Sequence, residues 1–492
     1  MSTTHQFRRE IGWFDGVMLV AGTMIGSGIF IVSADIARQV GSSGFLLLVW
    51  ALSGFLTLVA ALAYGELTGL YPRAGGQYVF LREAYNPLVA FLYGWTLFLV
   101  IQTGTIAAVA VAFAKFSSVF FPNLGEDRLL VQAGRLHISA AQVLAISVIA
   151  VLTLVNIGGV WGGKWIQTIL GSAKIVALFG LIAFGFSCWE EDAVAENLRQ
   201  LWDAVRTTVQ ADGTVVRMPL EGWALVAAIG MAMVGSLFSM DAWNNITFAG
   251  DEVVNARKTL ARSMAIGTAL VTVIYLLMNV VYLLHLPLRG VPNDDTRNLF
   301  TRGIQFATHD RVGVAVADAL AGHTAVLIVA ALIVVSTFSC LNGLILAGAR
   351  VYYKMAEDGL FFSRMQRLNA RGVPQAALLL QGGWSSLLVL SGTYSNLLDY
   401  VVFAVLLFYL ITIAAVFVLR RKYPHAERPY RAWGYPVLPL IYLATVALIC
   451  IILLMYKPTY TWPGLIIVAL GLPAYAWFRK KKQPADSGNR SG

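Results

Sequence analysis

Three glycines fall within seven residues at Gly22-Thr23-Met24-Ile25-Gly26-Ser27-Gly28, inside an apolar run long enough to cross a membrane. Glycine within a helix costs about 1 kcal/mol relative to alanine, so the run reads as a helix interrupted at mid-membrane. Main-chain groups freed by such a break are tolerated only where they line a protected cavity. The N–H groups near Ser27, Gly28 and Ile29 then open the outer half-helix with positive partial charge, an anion site that needs no basic side chain. Carbonyls near Ala21 and Gly22, at the end of the inner half-helix, are acceptors for an ammonium group. A second interruption, Phe238-Ser239-Met240-Asp241-Ala242-Trp243-Asn244-Asn245, sets an acid and two amides in another apolar run. Its carbonyls near Phe238, Ser239 and Asp241 add acceptors. The two ends together suit a zwitterion such as an α-amino acid. Thr23, Met24, Gly26, Ser27, Gly28, Ile29, Phe238, Ser239, Asp241 and Trp243 are the candidate substrate-binding residues. The plainer reading of the glycines is a close helix-packing face, which does not call for a matching second break.

The elements that must carry these breaks follow from composition. The chain has 492 residues, 58% hydrophobic and 13% charged, with a mean hydropathy of +0.70; soluble domains carry about 25% charge. An all-α integral membrane protein is expected, with twelve transmembrane helices of about 20 residues or more. They are placed at 12–38, 44–70, 86–119, 138–157, 161–188, 222–249, 260–286, 321–350, 375–392, 396–419, 435–456 and 460–478. The net charge of +10 sets topology and does not call for nucleic acid. With the N-terminus in the cytoplasm, the inner segments hold roughly 23 of the 36 Lys and Arg and the outer ones roughly 12, which puts both termini inside. The basic tail Arg479-Lys480-Lys481-Lys482 reads as a stop-transfer flank. The first apolar run is too long for a cleavable signal peptide.

Segments one and six, the broken ones, are each followed by four intact segments. The chain therefore divides into a cytoplasmic N-terminus (1–11), a first repeat of five helices (12–188), an extracytoplasmic loop (189–221), a second repeat (222–419), a cytoplasmic loop (420–434), two peripheral helices (435–478) and a basic tail (479–492). Because five is odd, the second repeat is inverted relative to the first. A short helix lying along the membrane face is expected at 75–83, between Pro72 and Pro87, and an amphipathic helix in the outer loop at 198–205. Cys188, Cys340 and Cys450 have no metal-ligand spacing, so they read as packing residues and no metal is expected. No phosphate-binding loop and no nucleophile or cofactor constellation is present, so the chain is not expected to be an enzyme, to hold a cofactor or to use ATP. A sensor would need an output domain that the short termini do not provide.

Five stretches resemble an amino acid carrier of the amino acid, polyamine and organocation superfamily, closest to the L-type amino acid transporter branch of bacterial type. They are GTMIGSGIF at 22–30, YGELTGLYPRAGGQYVFLREAY at 64–85, FSMDAWNN at 238–245, LNGLILAGARVYYKMAEDGLFF at 341–362 and RPYRAWGYPVLP at 428–439. The resemblance covers nearly the whole chain. It implies a LeuT-like fold, a five-plus-five inverted repeat with broken helices 1 and 6, and alternating access by a rocking bundle.

Lys174 stands in the apolar run Ser172-Ala173-Lys174-Ile175-Val176; a buried lysine must be paired or neutral, unless it snorkels to the interface. In relatives a lysine here takes the place of a sodium ion, tying segment five to the first break and to segment eight, and so implies a sodium-independent carrier. Asp241 departs from eukaryotic L-type members, which carry glycine there. It reads either as a direct contact of substrate or proton, or as an acceptor for Asn244, Asn245 or nearby amides. Phe238 reads as an aromatic lid over the substrate side chain. Glu66 is expected to be a gate partner of an inner-loop arginine, and Lys174, Asn342 and Glu66 form the coupling and gating set. Tyr93, Gln102, Ser336 and Thr337 are further candidates from segments three and eight. Residues 120–137 contain no cysteine, whereas animal L-type carriers use one there to bridge a glycoprotein, so no disulfide-linked heavy chain is expected. The resulting expectation is a sodium-independent exchanger of neutral L-amino acids, a monomer in the inner (plasma) membrane with lipid and substrate as its only partners. The alternative is a proton-coupled carrier of cationic amino acids or polyamines with Asp241 as counter-charge.

Overall fold

In the computed structural model, which describes residues 9, 11–133, 136–292, 299–391 and 394–482, the chain is mostly helical. The expected N-terminal tail and the end of the basic tail lie outside the described residues, apart from Arg9 and Ile11 and the stretch up to 482. Helix α1 (Trp13–Met24) and α2 (Gly28–Val40) are two halves bent by 45°. They are followed by α3 (Ser43–Leu70), α4 (Gln77–Ala84), α5 (Pro87–Thr96), a π-helical turn at Leu97–Ile101, and α6 (Gln102–Ser117). Strands β1 (Leu129–Ala133) and β2 (Leu136–Ser139) precede α7 (Ala140–Ile157), α8 (Val160–Ser187) and α9 (Glu191–Arg199). After β3 (Val205–Val209) and β4 (Val215–Pro219) come α10 (Gly222–Ser239), a 3-10 helix at Asn245–Glu252, α11 (Ala256–His285) and the short α12 (Leu299–Arg302). The chain continues through α13 (Val312–Glu357), α14 (Gln375–Val389), α15 (Tyr394–Lys422), α16 (Val437–Tyr456) and α17 (Pro458–Lys482).

Among the described residues ten helices are long and apolar enough to cross a membrane, or eleven if α1 and α2 form one span. The ninth expected segment is α14, of 15 residues, about 22 Å at 1.5 Å per residue. At 46 residues, α13 is far longer than one span needs. Its helical dihedrals are lost at Ala321 and at Gly322, where φ is +66°.

Local chemistry sets the helix starts. Asn86 Oδ1 accepts from Val89 N–H at 3.0 Å with Pro87 at the first helical position, the arrangement that satisfies an otherwise orphaned donor. Ser139 and Gln142 cap α7 reciprocally, at 3.3 and 2.9 Å. Gly41, with φ +53°, ends α2.

Two expectations change and a third gains detail. The fold is not purely helical: two antiparallel hairpins, β1–β2 and β3–β4, are present, the second turning at Asp212-Gly213, where Gly213 takes φ +84° and Asp212 Oδ1 receives Thr214 N–H at 2.9 Å. The outer-loop helix lies at Glu191–Arg199, and Val205 already belongs to a strand. Finally, the short helix α4 is enclosed by protein. Tyr78, Val79, Phe80 and Leu81 are each no more than 1% exposed, because α4 packs between α5 and α15, with Gln77 Nε2 donating to Thr412 Oγ1 at 2.9 Å.

One end of the bundle, the near face, gathers the start of α1, the α3–α4 turn, the 3-10 helix, and the ends of α13 and α15. There Ile11 pairs with Val253: Val254 N–H donates to Ile11 O at 3.0 Å and Ile11 N–H to Glu252 O at 3.1 Å. The opposite, far face carries the hairpins, α9 and the stretches 287–292 and 299–311, stitched by Asn197 to Leu283 O and Leu286 O at 2.8 and 2.9 Å and by Arg289 to Gly41 O at 2.8 Å. Two groups of helices sit between. In one, α1 and α3 pack on α11, and α2 on α10; in the other α6, α7, α13 and α14 pack together, with α8 against both.

Candidate substrate site at the two helix breaks

Helix α1 stops because its last regular bond, Ile25 N–H to Ala21 O at 2.9 Å, is followed by a tight return from Gly26 N–H to Met24 O at 2.9 Å. Helix α2 restarts at once, with Phe30 N–H bonded to Ser27 O at 3.0 Å. The N–H groups of Gly28 and Ile29 therefore begin the helix ahead of any intrahelical acceptor. The carbonyls of the break are held by side chains. Lys174 Nζ donates to Gly22 O at 2.5 Å and to Ile25 O at 2.8 Å, Ser336 Oγ to Ile25 O at 3.0 Å, Cys340 Sγ to Thr23 O at 3.0 Å, and Tyr275 Oη to Met24 O at 3.1 Å. The expectation of open acceptors near Ala21 and Gly22 is thus corrected: the first stays within the helix and the second receives a lysine. That lysine is 1% exposed and reaches neither surface.

The second break begins where α10 ends at Ser239. Asp241 N–H folds back to Phe238 O at 3.1 Å, and Ala242 adopts φ +69°, a left-handed conformation that is rare for a residue with a Cβ. Asp241 Oδ1 accepts from Tyr409 Oη on α15 at 2.6 Å, and of the expected donors Asn244, Asn245 or nearby amides, the carboxylate meets the Ala242 N–H. Among the described residues no cationic side chain pairs with Asp241. Asn244 Nδ2 donates instead to Gln77 Oε1 at 3.3 Å.

Two small cavities meet at this carboxylate. One is lined by Thr57, Phe238, Trp243, Val405, Tyr409 and Tyr442, the other by Gln77, Tyr93, Gln102, Asn244, Asn245 and Tyr409. Each has about 20 Å³ of free space, room for one water. The site is closed in this conformation, and a substrate enters only if the helices part. Trp243 is clamped by Tyr64, with ring centroids 4.7 Å apart, and by Tyr409 at 5.5 Å.

The breaks touch one another. A Cβ on Gly28 would strike Ser239, and one on Gly26 would lie 3.3 Å from Cys340 Sγ, so these glycines serve the packing reading whatever else they do. Thr23 Oγ1, bonded to Leu19 O at 2.8 Å, also lies 3.3 Å from Ala242 O. Tyr275 Oη lies between Met24 O and Ser239 O, at 3.1 and 3.2 Å. Met24 is 3% and Ile29 0% exposed. The structure thus brings Thr23, Met24, Gly26, Ser27, Gly28, Ile29 and Lys174 to one break, Phe238, Ser239, Asp241 and Trp243 to the other, and the two breaks to each other. It separates the remaining two. Asn342 turns toward α7, its Oδ1 accepting from Asn156 Nδ2 at 2.9 Å. Glu66 lies at the near face, bound by Arg420 at 2.9 and 2.7 Å, by Ala432 N–H at 2.8 Å, and 3.2 Å from Arg428. Thr337 bonds its own helix at Ile333 O, 2.8 Å.

Sequence reasoning missed Tyr275, Tyr409 and Tyr64. Their signal is a hydroxyl in the middle of an apolar run, which must find a partner when buried. It also missed the π turn at Leu97–Ile101, whose Leu99 O receives Trp384 Nε1 at 3.0 Å; such turns recur beside functional sites.

Charged locks flank the site. On the near face Arg350 forks onto Glu252 at 2.6 and 3.0 Å, and Arg82 and Tyr78 converge on Asp358. Burial and the Asp358 carboxylate push the Tyr78 phenol above its ordinary value. On the far face Arg38 grips Asp310 and Gln305 O, each at 2.7 Å, and Arg311 reaches Lys115 O at 2.6 Å.

Comparison with known proteins identifies relatives along this whole architecture. The amino acid permease family matches residues 11–474. The chain is 26% identical over 480 residues to the human b(0,+)-type amino acid transporter 1, covering 96% of this chain and 89% of that one. It is 26% identical over 472 residues to the mouse Asc-type amino acid transporter 1, covering 95% and 81%. To the human cystine/glutamate transporter it is 25% identical over 474 residues, covering 96% and 86%.

Proposed function

We propose, from the premise that the chain belongs to the amino acid permease family and is a multi-pass membrane transporter of amino acids, that it exchanges neutral L-amino acids without sodium. The observation that carries this reading is the meeting of the two breaks. The N–H end of α2 at Gly28 stands against Ser239, two residues before Asp241 in the second break. In the proposed pose the substrate carboxylate takes the Gly28 and Ile29 amides, where charge-assisted bonds are strongest. Its ammonium turns to the Asp241 carboxylate, since the carbonyls of Gly22 and Ile25 in the first break and of Phe238 and Ser239 in the second already receive donors. Phe238 and Trp243, with Val405 and Tyr409, give the side chain an apolar wall. Lys174 fills the place of a coupling cation, Glu66 with Arg420 closes the near face, and Asn342 braces the block that holds α13.

The same reading takes α14 and the joined halves α1/α2 as spans, making twelve in all, and divides them into the two inverted repeats, 12–188 and 222–419, with a peripheral pair at 435–478. It sets both termini in the cytoplasm of an inner membrane and needs no covalent partner through 120–137. The test is exchange in proteoliposomes loaded with or without amino acid, offered labelled leucine, alanine, arginine and putrescine, in sodium and in choline. Leucine or alanine uptake that needs internal amino acid and ignores sodium is the expected result. Uptake that requires sodium, or that does not respond to internal substrate, refutes it.

A second reading is favoured by one observation: Asp241 meets a tyrosine but, among the described residues, no cationic side chain. In a proton-coupled carrier of cationic amino acids or polyamines, the substrate supplies that cation. Arginine or putrescine uptake driven by a pH gradient, without leucine uptake, would establish it in place of the first.

A further inference from the structure

The block of α6, α7, α13 and α14 holds a polar centre that the two breaks do not use. Asn156 on α7 donates through Nδ2 to Asn342 Oδ1 on α13 at 2.9 Å and to Leu152 O at 2.8 Å. Gln381 on α14 donates to Ile345 O at 3.0 Å, and Gln102 on α6 to Leu344 O at 2.8 Å. What these bonds leave over is Asn156 Oδ1, Asn342 Nδ2, Gln381 Oε1, Thr153 Oγ1 and Ser385 Oγ, none of which meets a partner among the described residues. Their residues are at most 4% exposed. Reversing the amides does not help. The Asn156–Asn342 pair leaves one donor and one acceptor over in either sense, and a reversed Gln381 loses Ile345 O.

These groups lie together. Thr153 and Asn156 are one turn apart on α7, as are Gln381 and Ser385 on α14. Thr153 Oγ1 lies against Gly382, between those two α14 residues, and a methyl group on Gly348 would strike both Gln381 Oε1 and Gln102. A buried polar atom without a partner carries its full desolvation penalty, and in the membrane interior no bulk water reaches it. The set is uncharged. An amide donor, two amide oxygens and two hydroxyls suit a neutral ligand that both donates and accepts; a bare cation would face the Asn342 N–H, and an anion the two amide oxygens.

We propose that this block encloses ordered water, bound by Asn156, Asn342, Thr153, Gln381 and Ser385. At about three hydrogen bonds per buried water, roughly one or two molecules satisfy all five atoms. Gln102, which lines the cavity beside Asp241, separates this water from the candidate substrate site by one side chain.

Thermal unfolding of the full chain in detergent tests it with Thr153→Val, Ser385→Ala and the double variant, all close in shape to the parent. If the hydroxyls hold water, each single variant unfolds about 2 °C lower. The double variant falls short of the sum, because the two groups share a ligand. If the centre is dry, removing an unsatisfied hydroxyl raises or leaves unchanged the unfolding temperature, and the proposal is overturned. A rise in the wild-type unfolding temperature with added sodium or potassium, absent in Asn156→Leu, would replace water by a cation. A density map fine enough to show waters, with none between Asn156 and Ser385, would likewise overturn it.

Discussion

Lys174 and Gly22, 152 residues apart in sequence, meet inside the protein, with the lysine Nζ donating to the glycine carbonyl at 2.5 Å and to Ile25 O at 2.8 Å. One ammonium thereby ties α8 to the last turn of α1 and to its C-cap. Removing the lysine leaves a buried carbonyl at Gly22 without its donor, which costs about 1–3 kcal/mol, against conformational states that differ by only a few. Lys174→Ala is expected to reach the membrane folded but to exchange at least tenfold more slowly. Lys174→Arg should not rescue it, since a planar fork cannot replace a compact ammonium. Full exchange by Lys174→Ala, measured with labelled leucine, would remove the lysine from the mechanism.

Gly28 faces Ser239 so closely that packing and binding predict the same loss for any side chain there. A second site separates them. Gly28→Ala alone should fail to exchange, and Gly28→Ala/Ser239→Gly should regain a normal unfolding temperature. If the double variant also regains full affinity, the glycine serves packing only and the carboxylate site is wrong. In the wild type, methyl esters should compete poorly with free amino acids, because a charge-assisted bond contributes about 1.5–3 kcal/mol.

Tyr409 donates to Asp241 at 2.6 Å, and its ring flanks Trp243. Tyr409→Phe keeps the ring and deletes the hydroxyl donor, leaving the carboxylate with the Ala242 N–H and whatever the substrate offers. Substrate affinity in competition assays should change about tenfold or more. Asp241→Asn sorts the two functional readings: leucine exchange that survives while arginine transport is lost assigns the acid to a cationic side chain.

Arg350 and Glu252 are 5% and 8% exposed, so Glu252→Gln leaves a buried guanidinium without its counter-charge. The near face should loosen. In a Cys188→Ser background, maleimide should label Cys340, now 3% exposed beside the first break, several times faster than in the parent. Unchanged labelling would mean the pair does not hold that face shut.

Both breaks were legible because glycine clusters and an acid with two amides contradict a membrane helix at the level of single residues. Lys174 was legible for the same reason. The partners were not. Tyr275, Tyr409 and Tyr64 are compatible with an apolar run, and only the fold brings the hydroxyls of the first two and the ring of the third from other helices to the breaks. The carbonyls near Gly22 read as open because a sequence places the lysine on α8 without saying how close α8 comes; Gly171, whose added Cβ would lie 4.0 Å from Gly22 Cα, permits that approach. The hairpin at Asp212-Gly213 carried a turn signal that the surrounding apolar helices overshadowed. α4 looked interfacial because its composition is mixed, yet tertiary packing buries both its aromatic rings.

The backbone clasp between Ile11 and Val253 joins the entry to α1 with the exit of the 3-10 helix, one residue from Glu252. Two strands of chain belonging to different broken helices thus share a single mechanical degree of freedom at the near face. A displacement of one is expected to pull on the other, as two leaves of a door hung on one hinge.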